Sequence, residues 1–370
     1  MTIIVAVLVT MLLSYVMLSV YEWKWNKNLD VSIQFEQDHV NEGESGTIKE
    51  VVVNEKRLPL LSLLIKFPID RSIEYSNTEN TKITDMQYRN DCIVVHPFER
   101  VTRTFQVMFT KRGYYRIEEK ELVAVEFFYR TSFVEMRKND SGIYVYPSRT
   151  KVRQIEASFE RMMGEYVSKT FVYEDPFEFQ GIRAYEPTDP MKKINWGISA
   201  KTGELMVNQF YDTNHCSVTI FLLTMENEGM GYYEDLAEEA IRMVRTYLEV
   251  LLRKGIPVKV VTNASDMETK KRIEVKEGAG MAHMEYCLKQ LAKIDAKSSA
   301  CEFTELFKQQ GKSSNGLSLL VSVSQSDALK AAFEQYLGKQ GVGQWMIPVH
   351  SHLERNASSR RVQIIYGEVE

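Results

Sequence analysis

The side chains best suited to chemistry cluster mid-chain, in the string GIRAYEPTDPMKKINWGISAKTGELMVNQFY from Gly181 to Tyr211. It gathers Arg183, Asp189, Lys192 and Lys201 around a single indole, Trp196, a set fitted for ion pairing and for holding a partner or ligand. It contains no His or Cys, and no nucleophile–base pair can be built from its spacing, so no catalytic residue is assigned and the chain is read as a non-enzyme. Thr188-Asp189-Pro190 reads as a helix start, with Asp189 as N-cap and Pro190 at the first helical position, where its missing N–H costs nothing. The helix is expected to be short and to end before Gly203. Arg183 is expected to pair with Asp189 or a neighbouring acid, and Trp196 to be the apolar anchor that fixes the helix against a sheet. Two uses stay open: a structural clasp between domains, or a partner-binding surface made of Arg183, Asp189, Lys192, Trp196 and Lys201. An uncharacterised hydrolase using carboxylates around Asp189 is a further alternative.

Other candidates carry less. His350-x-His352 places two imidazoles on one strand face, with only His215 beside Cys216 as remote companions, and reads as a polar strand end rather than a zinc site. Gly278-x-Gly280 and Gly341-x-Gly343 lack the further glycines and the lysine of phosphate-binding loops, so they are read as turns, and any ATP chemistry belongs to a partner. Cys92, Cys216, Cys287 and Cys301 have no C-x-x-C spacing, which argues against a disulfide framework or structural zinc and for a reducing compartment. No cofactor is expected. With 46 basic and 50 acidic side chains and a formal net charge of −4, there is no global basic field, and nucleic acid is not an expected partner.

The elements that must position these residues divide into four stretches. Ile3 to Val20 is uncharged and strongly apolar, about 27 Å long as a helix, and is followed by Tyr21, Trp23 and Trp25 interleaved with Lys24 and Lys27. Residues 1–22 therefore read as an uncleaved transmembrane anchor that meets the lipid bilayer through residues 3–20. The aromatic rings suit the headgroup interface, and the lysines on the C-terminal flank place the rest of the chain in the cytoplasm. Residues 31–150 show short alternating runs such as VSIQF, LSLLIKF, YYRI, LVAVEFF and IYVYP between polar turns, the pattern of a β-sandwich. Residues 151–215 form a connector. Residues 216–370 alternate strands (SVTIFLLT, PVKVVTN, SLLVSVS, WMIPV, RVQIIY) with helices near 232–254, 282–294 and 327–337, which implies a mostly parallel sheet covered on both faces. The fold class is a multidomain chain, all-β then α/β, behind an N-terminal transmembrane helix.

In its spacing of Gly181, Arg183, Tyr185, Asp189, Trp196, Ser199, Ala200, Lys201, Leu205, Val207 and Phe210, the connector resembles the signature of the bacterial family called domain of unknown function 58. Arg112-Gly113-Tyr114-Tyr115 and Val145-Tyr146-Pro147 resemble that family's upstream β region. The resemblance implies a membrane-anchored β-sandwich followed by a von Willebrand factor A-like (Rossmann-like) domain, a setting beside MoxR-type AAA ATPases, and no established catalysis. In metal-binding A domains the first strand ends in Asp-x-Ser-x-Ser, whose hard oxygen atoms hold Mg²⁺. Here that stretch reads Thr224-Met225-Glu226-Asn227-Glu228, so Thr224 replaces the aspartate and Glu226 and Glu228 replace the serines. The loop is expected to be a solvated acidic segment. The alternative is a cation-dependent adhesion or binding module in which Glu226 and Glu228 gather an ion with Thr224 and Asp327. The expectation that follows is a membrane-anchored interaction or scaffold protein serving a MoxR-type AAA ATPase.

Overall fold

The computed structural model describes residues 2–369 apart from 78–80, 84–85, 90, 151, 171–178, 188, 211–216, 226–232, 312–315, 339–340, 351–354 and 360. It divides into two compact units, residues 1–148 with 291–293, and residues 149–290 with 294–370.

The first unit begins with α1 (Thr2–Lys24), continuous through the apolar run. Twelve strands follow: β1 (Leu29–Phe35), β2 (His39–Asn41), β3 (Ser45–Asn54), β4 (Leu60–Lys66), β5 (Pro68–Ile69), β6 (Ile73–Tyr75), β7 (Thr81–Ile83), β8 (Gln87–Arg89), β9 (Asp91–Val95), β10 (Arg100–Phe109), β11 (Gly113–Val125) and β12 (Ser132–Tyr146). One sheet has the order β1-β3-β10-β6 and a second the order β2-β12-β11-β4-β9, with β5, β7 and β8 in a small third sheet. Alternation puts Val31, Ile33, Ile48, Val52 and Val107 of the first sheet, and Leu63, Ile65, Leu122, Ala124, Ile143 and Val145 of the second, into one core. Two sheets, antiparallel throughout except where β2 runs parallel to β12, bury a shared apolar layer and make a sandwich. The expected run YYRI and the start of LVAVEFF, as far as Val125, belong to a single strand, β11, which continues through the polar residues between them with a register shift at Ile117/Glu119.

The junction with the helix departs from the sequence reading. Tyr21 and Trp25 were expected at the headgroup interface, yet they are 2% and 4% exposed and belong to the sandwich core. Only Trp23 stays open, at 63%, with the Lys27 ammonium 3.7 Å from its ring centre.

The second unit comprises α2 (Val152–Thr170), β13 (Phe179–Ala184), α3 (Trp196–Thr202), β14 (Met206–Phe210), β15 (Val218–Leu223), α4 (Glu234–Arg253), β16 (Val258–Asp266), β17 (Arg272–Gly278), α5 (Met281–Lys293), β18 (Ile294–Ser299), α6 (Phe303–Gln310), β19 (Leu317–Ser322), α7 (Asp327–Leu337), β20 (Val342–His350) and β21 (Gln363–Val369). Its main sheet runs β17-β16-β15-β19-β20-β21, with β18 also on β16. β15, β16, β19, β20 and β21 are parallel, while β17 and β18 are antiparallel to β16. Every residue of β19 is buried, as a strand covered on both faces requires. Phe303, Leu306 and Phe307 of α6 and Phe333, Tyr336 and Leu337 of α7 pack on one face against Phe221, Leu320 and Trp345. α4 carries acids in its first turn, Arg253 in its last and a nearly continuous buried stripe, matching its sequence pattern. The connector holds α2, which the sequence reading did not foresee. A buried polar network ties it to the sheet: Tyr247 Oη donates to Gln344 Oε1 at 3.1 Å and lies 3.2 Å from Ser158 Oγ, and Gln344 Nε2 donates to Gln363 Oε1 at 3.2 Å. Among the described residues Cys92, Cys287 and Cys301 are free thiols.

Candidate functional site

The conspicuous string folds into a compact hairpin. β13 and β14 pair antiparallel, Arg183 opposite Val207 and Ala184 opposite Met206, and the loop between them is packed back onto β14. Ile194 bridges to Val207. Asn195 N–H donates to the Met206 carbonyl at 2.8 Å, and the Asn195 amide donates to Asn208 Oδ1 at 2.8 Å. Ser199 Oγ donates to the Asn195 carbonyl at 2.8 Å and accepts from Met206 N–H at 2.9 Å. With Ile194, Ser199 and Val207 all buried, the short helix α3 has one fixed position against the strand.

Its ends explain the fixity. Asn195 is the N-cap, its Oδ1 accepting from Ile198 N–H at 3.1 Å, and Gly203 closes the helix at φ 79°, a left-handed conformation that glycine adopts without penalty. The expected start at Asp189-Pro190 is therefore wrong: Pro190 precedes only a 3-10 turn, Met191–Lys193, and the α-helix begins at Trp196. Asp189 is drawn elsewhere. Arg183 Nη1 and Nη2 donate to its two carboxylate oxygens at 2.7 and 2.6 Å, and Glu186 N–H donates to Oδ2 at 2.9 Å. The hydrogen bond to Asp189 raises the guanidinium pKa further, so Arg183 stays charged. Thr188, the third residue of the expected start, lies outside the described residues.

The indole is the second correction. Trp196 was expected to be a buried anchor but is 62% exposed, and Ser199 is instead the residue by which α3 is buried against the strand. Met191 at 67% and Leu205 at 45% join it, and Lys192 and Lys201 are exposed. Three large apolar side chains flanked by ammonium groups thus stand outward on a scaffold that cannot easily fold them in. Arg183 and Asp189 meet directly, Lys201 shares α3 with Trp196, and Lys192 sits in the 3-10 turn. Asn195, Met191 and Leu205 were missed. An Asn two residues before a Gly and four before a Ser was the available signal for the cap.

The second candidate region is the carboxyl edge of the parallel sheet. Thr224 follows β15 and is 2% exposed; its N–H donates to Asn263 Oδ1 at 3.3 Å. Asn263 donates in turn to the Met225 carbonyl at 2.7 Å and to Ser299 Oγ at 3.3 Å. Asp327 opens α7 after β19, exposed, with Ser326 as its N-cap. Glu226 and Glu228 lie outside the described residues, as do His215, Cys216 and His352. His350 sits 2.7 Å from Asp235 Oδ2. Among the described residues no group of three or more His, Cys, Asp or Glu is placed to hold a metal ion.

No family model matches the chain, and no curated protein matches it. Solved structures similar to parts of it include the CARDB domain of the PF1109 protein from Pyrococcus furiosus in complex with di-metal ions, at 17% identity over 32% of this chain and 90% of that one, TM-score 0.23. A β-glucosidase from Listeria innocua in complex with gluconolactone matches at 14% identity over 32% and 16% of the two chains, TM-score 0.19. A non-cellulosomal cohesin from Archaeoglobus fulgidus matches at 9% identity over 35% and 96%, TM-score 0.22. At such scores the likenesses carry no argument about fold or function.

Proposed function

We propose that the chain is a membrane-anchored, non-enzymatic interaction or scaffold protein that presents the β13–β14 hairpin to a cytoplasmic protein partner, such as a MoxR-type AAA ATPase, in the assembly or maturation of client complexes. The observation that carries this reading is the exposure of Trp196 on a capped, ion-paired scaffold. Exposed indoles and Met side chains are the groups that interfaces recruit as anchors. Asp189 is a poor general base here, since both its oxygens already accept charged or backbone donors, which weighs against the hydrolase alternative. The strand order of the main sheet, reversing between β15 and β19 with an antiparallel third strand, supports a von Willebrand factor A-like domain and, with the string around Trp196, membership of the domain of unknown function 58 family.

α1 is long and apolar enough to cross a membrane. Burial of Tyr21 and Trp25 in the sandwich core supports its retention, because a cleaved leader is discarded and has no reason to complete a core. With Lys24 and Lys27 on the exit side, we place both units in the cytoplasm. The experiment is co-purification of the full chain, in detergent, with a MoxR-type AAA ATPase. Wild type is expected to retain the ATPase, and Trp196→Ala and Lys201→Glu to lose it; retention by both variants refutes the hairpin as the binding surface.

A second reading, cation-dependent binding, draws on Thr224, whose buried Oγ1 has no hydrogen-bond partner among the described residues at the sheet's switch point. A rise in unfolding temperature with Mg²⁺ or Mn²⁺ over EDTA, lost on changing Glu226 and Glu228 to Gln, would favour it.

A further inference from the structure

At the helix exit the sandwich does more than receive α1. Tyr21, the first residue past the apolar run, donates from Oη to the Val125 carbonyl at 3.1 Å, and its ring meets Phe127 edge-on at 5.4 Å and Phe133 at 6.0 Å. The turn joining β11 to β12 therefore lies level with the end of the apolar run. That turn is stiff. Glu126, 5% exposed, accepts from Phe128 N–H at 2.9 Å and Arg130 N–H at 3.1 Å through its carboxylate, while its carbonyl accepts from Tyr129 N–H at 3.0 Å. The result is that Phe128 and Tyr129 stand 57% and 68% exposed, with Arg130 beside them and Tyr129 held at φ 57°, a conformation that L side chains enter only under constraint.

A second loop ends on the same side. Glu55 N–H donates to the Asn28 carbonyl at 2.9 Å and Asn54 N–H to the Glu99 carbonyl at 2.9 Å, which ties the β9–β10 loop to the chain just after α1. There Phe98 is 67% exposed, also at positive φ, 55°. Three exposed aromatic rings on two loops, together with Trp23, Lys24, Lys27 and Arg130, surround the point at which α1 leaves the fold. An exposed apolar cluster of this kind marks an interaction site. Amphipathic rings favour the headgroup region, and Lys and Arg there pair with anionic lipid.

We infer that the β11–β12 turn, with the Phe98 loop, is a second membrane contact that inserts Phe128, Tyr129 and Phe98 into the headgroup–acyl boundary beside α1. The inference rests on the reading of α1 as a membrane span. It commits to lipid as the occupant because the cluster is continuous with α1 through Tyr21.

The test uses the full chain reconstituted into vesicles of phosphatidylethanolamine and phosphatidylglycerol, with the photoreactive residue p-benzoylphenylalanine replacing Phe128, Phe98, Leu12 or Met108 in turn. Leu12 is 63% exposed within the apolar run. Met108, 41% exposed, pairs with Ser45 at the opposite end of β3 from Asn54, about 30 Å away along the strand. Lipid adducts are expected at positions 128, 98 and 12, and none at 108. Adducts at 12 without adducts at 128 and 98 overturn the second contact while leaving the anchor intact. A cross-link from 128 to another copy of the chain overturns it in favour of self-association, and no lipid adduct at 12 removes the anchor and the inference together.

Discussion

Trp196 and Lys56 show how a single side chain's surroundings decide what its replacement does. An indole that is 62% exposed contributes little to stability, so Trp196→Ala should leave the denaturation midpoint within about 0.5 kcal/mol of wild type while abolishing partner capture. Equilibrium unfolding in urea checks the first half and co-purification the second. Lys56 is the opposite case. Its Nζ is buried with no hydrogen-bond partner among the described residues, and burial, aided by the nearby Arg137 charge, pulls its pKa from 10.5 to about 8. At pH 7 the ammonium is charged in a place that disfavours charge, so Lys56→Met should raise stability by about 1 kcal/mol after allowance for partial solvent screening. The unfolded chain holds this proton up to pH 10.5 and the folded chain releases it near 8. Wild-type stability from this group therefore rises with pH between those values, and the methionine variant should lose that slope.

At the scale of elements, the hairpin around α3 is predicted to open locally before the rest of its unit. Asn195→Ala removes a cap acceptor and the amide bond to Asn208 together, a loss of about 1–2 kcal/mol that should appear as faster amide exchange in residues 196–210. This element also marks where the sequence was legible. Gly203 as a stop, the Arg183–Asp189 pair, α4 with its charged ends and buried stripe, and the helix over Asp327–Leu337 were all written in periodicity and local chemistry. The helix start was not, because Asp189-Pro190 satisfies a capping pattern while a tertiary partner, Arg183 on β13, takes the carboxylate first. The burial of Trp196 was misjudged for a related reason: apolarity says that a side chain gains by leaving water, but α3 is held to β14 through the polar contacts of Asn195 and Ser199 and leaves the indole outside. β17, β18 and α6 were missed because they are short or polar on one face, and pairing with β16 or packing on Phe221 supplies what their own residues lack.

For the molecule as a whole, two units with separate cores need not unfold together. Tyr247 offers a marker for the second unit. Burial raises its phenol to about 12, so the neutral hydroxyl is the form the fold requires. Stability from this group is intact below pH 10 and falls between pH 10 and 12, opposite in sign to the Lys56 slope of the first unit. In calorimetry the first transition should therefore rise between pH 8 and 10 while the Tyr247 share of the second stays unchanged, and the second should fall between pH 10 and 12. Tyr247→Phe leaves Gln344 and Ser158 short of a buried partner and should cost about 1–3 kcal/mol in the second transition alone.

The burial of Tyr21 also dictates where the chain can be cut. Removing residues 1–22 takes away the greasy span together with a phenol that is 2% exposed, leaving a hollow lined by Phe127 and Phe133. A fragment starting at Trp23 should be less stable in its first unit by about 3–5 kcal/mol, and more prone to precipitate, than one starting at Val20, although the longer fragment carries more apolar residues. Comparing urea midpoints of the two fragments decides the point. The usual practice of trimming at the end of the hydropathy peak is, for this protein, a core mutation.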